Sequence, residues 1–133
     1  MRSTVPAGTP WGDIVGYSRA VRVGSTVVVS GTTSTGPDVR VLHPGEAGPQ
    51  TRVILEKIVL ALQALGASVE DVVETRIYVT DIGQWEAVGR VHGEFFGSIK
   101  PATAMVEVSK LIDPAIVVEI SAMAIIDIPP QLR

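Results

Sequence analysis

The sequence predicts one α+β domain in which a mixed β-sheet carries two helices on one face. Three observations lead there. Residues 51–65 and 83–96 repeat apolar side chains at helical spacing. Five β-prone runs surround them in the order β-β-α-β-α-β-β. The 133 residues suit a single core, and no repeat, linker or low-complexity stretch divides them.

Each element has a local reason. Residues 1–15 hold Pro6, Gly8, Pro10 and Gly12 and read as an irregular lead-in. Runs 19–23 and 26–30 are β-prone, and Gly24-Ser25 between them signals a two-residue hairpin. Residues 32–50 contain Gly36-Pro37, Pro44-Gly45 and Gly48-Pro49. They read as a long loop, which in a compact domain is often functional. In helix 51–65, Ile54, Ile58, Ala61, Leu62 and Leu65 make one stripe, and Gly66 is a stop. Ser68-Val-Glu-Asp71 spells a capped turn. In strand 72–80, Ile77 and Val79 alternate with Arg76, Tyr78 and Thr80. Asp81 is placed to cap helix 83–96. That helix should bury Trp85, Val88, Val91, His92 and Phe95 and stop at Gly97. Runs 100–111 and 117–124 complete the sheet, with Pro114 in their connecting turn and Pro129-Pro130 closing the fold.

The helices cover one face of the sheet. The other is expected to carry Arg76, Tyr78, Met105, Glu107, Glu119, Ser121 and Met123. That set is too mixed for a core and too apolar for free solvent. Packing against copies of the same chain, with polar pockets at the seams, would explain it. Composition agrees: 46% of residues are hydrophobic and only 19% charged.

Several function classes are disfavoured. Net charge is −3 and no Lys/Arg run exists to track phosphates, so nucleic acid is not an expected partner. Without cysteine there is neither a disulfide framework nor thiolate chemistry. Two histidines, His43 and His92, and no acidic cluster argue against a metal site. No phosphate loop or Ser-His-Asp pattern is present, and no cofactor is expected. No apolar run reaches membrane-spanning length, and Met-Arg-Ser-Thr-Val-Pro lacks a signal-peptide core. A cytoplasmic protein with no membrane partner is the expectation.

Short motifs follow one another in a fixed order: Gly16-Tyr17-Ser18-Arg19-Ala20 leading into the first strand pair, and Val29-Ser30-Gly31-Thr32 at the second strand's end. Gln50-Thr51-Arg52 opens the first helix and Leu55-Glu56-Lys57-Ile58 lies in it. Glu70–Thr75, Tyr78-Val79-Thr80-Asp81, Gly93-Glu94-Phe95-Phe96 and Pro101-Ala102 come after it. In order and spacing these pieces resemble the Rid superfamily, the reactive intermediate deaminases also called YjgF-like proteins. The resemblance implies a chorismate-mutase-like fold. It also implies a homotrimer with a central β-barrel and small-molecule clefts between subunits, binding an imino, keto or other organic acid.

In deaminating members such a cleft hydrolyses imines or enamines to a keto acid and ammonia. An arginine grips the substrate carboxylate there, and a glutamate serves the water. By resemblance, Glu119 takes the glutamate's place, so it is the candidate catalytic residue. Tyr17, Gly31, Thr32, Trp85, Thr103 and Met105 are the candidate ligand-binding residues. The arginine position holds Thr103, which cannot make a bidentate, charge-assisted grip. Arg19 shares a face with Tyr17 in an extended segment and is the candidate substitute clamp. Two functions follow: an imine or enamine hydrolase with an atypical substrate, or a non-catalytic metabolite-binding or regulatory trimer. RNA cleavage, a name attached to some relatives, conflicts with the acidic charge balance.

Overall fold

Alternation along the strands determines which residues meet the helices. The computed structural model describes residues 1–127, so Pro129-Pro130 lies outside the described residues. The strands are β1 (Arg2–Pro6), β2 (Ser18–Val23), β3 (Thr26–Thr32), β4 (Val72–Val79), β5 (Ala102–Glu107) and β6 (Val118–Ile125). The helices are α1 (Ala47–Ala64) and α2 (Trp85–Phe96). One mixed sheet runs β1-β2-β3-β6-β4-β5. Its β4–β5 pair is parallel, and the other pairs are antiparallel.

Val27, Val29, Ile77, Val79, Val118, Ile120, Ala122 and Ala124 all point to the helix side and are buried. Ile54, Leu55, Ile58 and Leu62 of α1 meet them with no exposed surface. Each such side chain contributes about 1.5–3 kcal/mol of burial, so this layer holds the sheet rigid behind the opposite face. Gly66, at φ +83°, ends the first helix, and the Ala67 amide donates back to the Leu62 carbonyl at 2.9 Å. The Ser68–Asp71 capping box forms, and the Asp81 carboxylate accepts from the Gly83 amide at 2.9 Å.

Four expectations need correction. The lead-in contains β1, an edge strand pairing Val5 with Ala20 and ending at Pro6, where no ladder donor is required. A single wide helical turn, Gly12–Gly16, follows it. Helix α1 starts at Ala47, not Thr51, because Pro49 falls in its first turn, where a missing N–H costs little. Trp85 is not in the buried stripe: it is 58% exposed, and Phe96 is buried instead.

The fourth correction matters most for the site. Thr103, Met105 and Glu107 pair directly beside Thr75, Ile77 and Val79. Directly paired residues share a face, so all three lie on the helix side, whereas Met105 and Glu107 were expected opposite. Met105 packs against the core, and the Glu107 carboxylate accepts from the Ile82 amide at 3.0 Å. The face away from the helices therefore receives Ala102, Ala104 and Val106, all exposed.

The long loop is tied down at several points. The Leu42 amide donates to the Ser34 carbonyl at 2.7 Å, and the Gly36 amide to the Arg40 carbonyl at 2.8 Å. Gln50, fully buried in α1, bonds both the loop and the segment before β6.

Candidate functional site

Glu119 lies on β6 directly opposite Tyr78 of β4, on the face away from the helices. The two form the floor of a groove of about 260 Å³ with Gly31, Ser121, Val108, Lys110 and Leu111. That is several times the ~30 Å³ share of one liquid water, enough for a small organic molecule. The pairing between β3 and β6 shifts register between Val29 and Thr32, which brings Gly31 against the Glu119 side chain. A methyl group on Gly31 would stand 3.0 Å from the Glu119 carboxyl carbon and 3.4 Å from its Cγ. Glycine is the residue that leaves the carboxylate its place.

Burial pushes the Glu119 carboxyl above its ordinary range, and the Arg19 guanidinium pulls weakly the other way. Among the described residues, no hydrogen bond engages the Glu119 carboxylate, the Tyr78 hydroxyl, the Ser121 hydroxyl or the Lys110 ammonium. A half-buried carboxylate with a raised pKa and free oxygens is suited to take a proton from water near neutral pH.

The other candidates have different placements. Arg19 donates through Nη1 to the Gly31 carbonyl at 2.9 Å and the Thr32 hydroxyl at 3.1 Å. Its guanidinium lies 5.7 Å from the Tyr17 ring centroid, so the two share a face as the extended spacing predicts. Thr32 is fully buried, and its hydroxyl donates to the Ser30 carbonyl at 2.8 Å. The Tyr17 hydroxyl reaches the Thr9 hydroxyl at 3.3 Å beside a recess formed by residues 6–13. Trp85 and Met105 do not line the Glu119 groove.

Thr103 is also outside that groove. Its hydroxyl lies 2.8 Å from that of buried Thr75 and 3.2 Å from the Pro101 carbonyl. Thr75 also meets His92 Nε2 at 2.9 Å. All three contacts are satisfied when Thr103 donates to Pro101, Thr75 to Thr103, and His92 through Nε2–H to Thr75. His92 is thus the satisfied interior histidine its apolar helix face predicts. Its ring lies tilted against Phe96 with centroids 4.7 Å apart, and burial lowers its pKa.

A larger cavity of about 520 Å³ lies between α1, β1 and the long loop, lined mainly by apolar residues. Arg19 and Lys57 both line it, and Lys57 donates to the Thr33 carbonyl at 2.8 Å and the Thr35 carbonyl at 3.1 Å. Burial, aided by Arg19, lowers that ammonium to about 8. Lys57 thus anchors the chain just past Gly31. Among the described residues, no cluster of three or more His, Asp or Glu side chains could hold a metal ion. Nor is any described helix long and apolar enough to cross a membrane.

Sequence reasoning placed Tyr78, Glu119 and Ser121 on one face but did not assign Tyr78 or Ser121 to the site. Strand alternation already carried that signal. Lys110 had none, because only the fold of the 108–117 segment brings it to the groove.

This is a six-stranded α+β domain with a polar groove on the sheet face that the helices leave open. A family model described as endoribonuclease L-PSP matches residues 11–126. The chain therefore belongs to the endoribonuclease L-PSP family, whose members are also called YjgF or Rid proteins. The chain is similar to a Mycobacterium tuberculosis protein of the YjgF/YER057c/UK114 family. They share 48% identity with a TM-score of 0.86, covering 95% of this chain and 100% of that one. It is similar to the Rid-family protein YyfA from Yersinia pestis, at 28% identity and TM-score 0.83, covering 95% and 100%. It is also similar to E. coli TdcF, whose structure holds bound serine, at 27% identity and TM-score 0.75, covering 84% and 88%.

Proposed function

We propose that the Glu119 groove binds a small imine or enamine acid and hydrolyses it to a keto acid and ammonia. The observation that carries this is the unengaged, half-buried Glu119 carboxylate held over Gly31. In the reaction, water oxygen attacks the imine carbon while Glu119 takes a water proton. Glu119 returns that proton to the nitrogen. The hydroxyl proton of the resulting carbinolamine passes to its nitrogen, and ammonia leaves as the C–N bond breaks and the C=O forms; an enamine joins this path once its N–H proton has moved to the β-carbon. The TdcF relative's bound serine supports a small carboxylate-bearing ligand class.

The same reading includes a homotrimer with grooves at its seams. Support comes from the apolar groups on the open face: Val28, Ala104, Val106 and Ile125 are exposed there in the single chain.

The test is keto-acid release from 2-aminoacrylate and from bulkier imines made in situ. Wild type should accelerate release, and Glu119→Ala should lower it by about 10²-fold or more. Gly31→Ala should resemble Glu119→Ala, because its methyl displaces the carboxylate. Failure of the wild type to accelerate any imine, or an unchanged Glu119→Ala, defeats the proposal. A second reading, ligand binding without turnover, is favoured by Thr103, which the resemblance sets at the arginine position and which lies outside the groove. A wild type that binds a keto acid yet accelerates release from no imine would select it.

A further inference from the structure

The groove needs a positive group if its ligand carries a carboxylate, and most nearby cations are already engaged. Arg19 is held by the Gly31 carbonyl and the Thr32 hydroxyl. Arg22 donates to the carbonyls of Gly24 and Leu65. Arg76 pairs with Glu74 at 3.3 Å. Lys57 is bonded to the 33–35 segment and lines a different cavity. Lys110 is the exception. It lines the groove with Glu119, Tyr78 and Ser121, and among the described residues its ammonium has no ion pair or hydrogen bond.

We propose that Lys110 is the carboxylate-binding residue of this groove, facing Glu119 across a ligand whose electrophilic carbon adjoins its carboxylate. This rests on the reading of the groove as the reaction site and names the end at which the ligand is held. Three points support it. Lys110 and Glu119 line one small groove yet form no ion pair, so opposite charges stand apart with space between them. The segment carrying Lys110 is anchored: the Val108 amide donates to the Val79 carbonyl at 2.8 Å, and Leu111 is partly buried. The Tyr78 and Ser121 hydroxyls supply further donors that no other described group uses. The ligand class is a small 2-imino, 2-keto or 2-amino acid. Lysine would hold it as a point charge rather than with a guanidinium fork, so binding should depend on salt.

The experiment compares 2-oxobutanoate with 2-oxobutanamide as stable probes, by titration calorimetry or ligand-observed NMR on the assembled wild type, Lys110→Met and Lys110→Arg. Methionine keeps an unbranched apolar stem and removes the charge. Wild type should prefer the acid over the amide by about tenfold or more. Lys110→Met should erase that preference, Lys110→Arg should restore most of it, and added salt should shrink it. Thermal unfolding confirms that both variants are folded, as expected for an exposed side chain. A wild type that binds neither probe or shows no acid preference overturns the assignment. So does a Lys110→Met variant that keeps the preference. Lys110-dependent binding without keto-acid release would uphold it while removing the hydrolase reading. Release that is indifferent to Lys110 would do the reverse.

Discussion

Gln50 offers the sharpest test of how the fold holds its loops. Its Nε2 donates to the His43 carbonyl at 2.9 Å and the Ala115 carbonyl at 2.7 Å, and its Oε1 accepts from the Val117 amide at 2.9 Å. Gln50→Leu keeps the volume and removes all three bonds. The carbonyls keep other donors: Glu46 N reaches His43 O at 3.0 Å, and Gly45 N reaches Ala115 O at 2.9 Å. Losing the Gln50 bonds there should cost about 0.5–1 kcal/mol each, while the orphaned Val117 amide costs about 1–3 kcal/mol. Leucine's extra apolar burial returns about 1 kcal/mol. The net is a destabilisation of about 1–4 kcal/mol. At ~2.1 cal/mol/K per residue the unfolding entropy makes 1 kcal/mol worth about 3–4 °C, so Tm should fall by about 3–16 °C. Thermal circular dichroism at one fixed protomer concentration reads this, since assembly makes Tm concentration-dependent. Gln50→Glu separates hydrogen bonding from packing. It can still accept from Val117 but turns acceptors toward two carbonyls, so it should be worse than leucine at neutral pH and improve on acidification. A Tm change under about 3 °C for Gln50→Leu, or equal behaviour of the two variants, would refute the accounting.

Two further predictions concern titration. The folded Glu119 carboxyl titrates above its ordinary value of 4.5. Its contribution to stability is therefore full below that value and is lost as pH rises through the folded pKa. Glu119→Gln should thus melt higher than wild type at neutral pH, with the gain vanishing in acid; a flat difference across pH would contradict the burial argument. Lys57 titrates near 8 when folded against 10.5 ordinarily. Between those values the unfolded chain holds more protons, so stability rises with pH. In Lys57→Met that rise should be absent, and the variant's deficit should widen from about pH 8 to 10.5 in paired melting curves. A constant deficit would show that Lys57 does not titrate in this window.

Much of the fold was legible locally. The stripe of Ile54, Ile58, Ala61 and Leu62 is a helical period, and Gly66 and Asp81 are stop and start signals that act within a few residues. The alternation of Ile77 and Val79 with Tyr78, and of Val118 and Ile120 with Glu119, put Tyr78 and Glu119 on a shared face. Family likeness then picked out Glu119 and Gly31, which the structure brings into contact. The short β1 was not legible, because five residues ending in Pro6 carry too little periodic signal among the surrounding glycines and prolines.

The sequence by itself determined the elements and their buried faces wherever one side of the period was clearly apolar, because periodicity is a property of a few consecutive residues. Tertiary structure decided the rest. Strand β5 has alternating sets Ala102, Ala104, Val106 and Thr103, Met105, Glu107, and composition favours burying the first. The parallel register with β4 turns the second toward the helices instead and ties Thr103 to Thr75. Likewise, the register shift in β3 puts Gly31 under Glu119, and the 108–117 segment brings Lys110 beside them. Register is set by pairing between distant parts of the chain, so which polar groups end up engaged and which stay free is decided only when those parts meet.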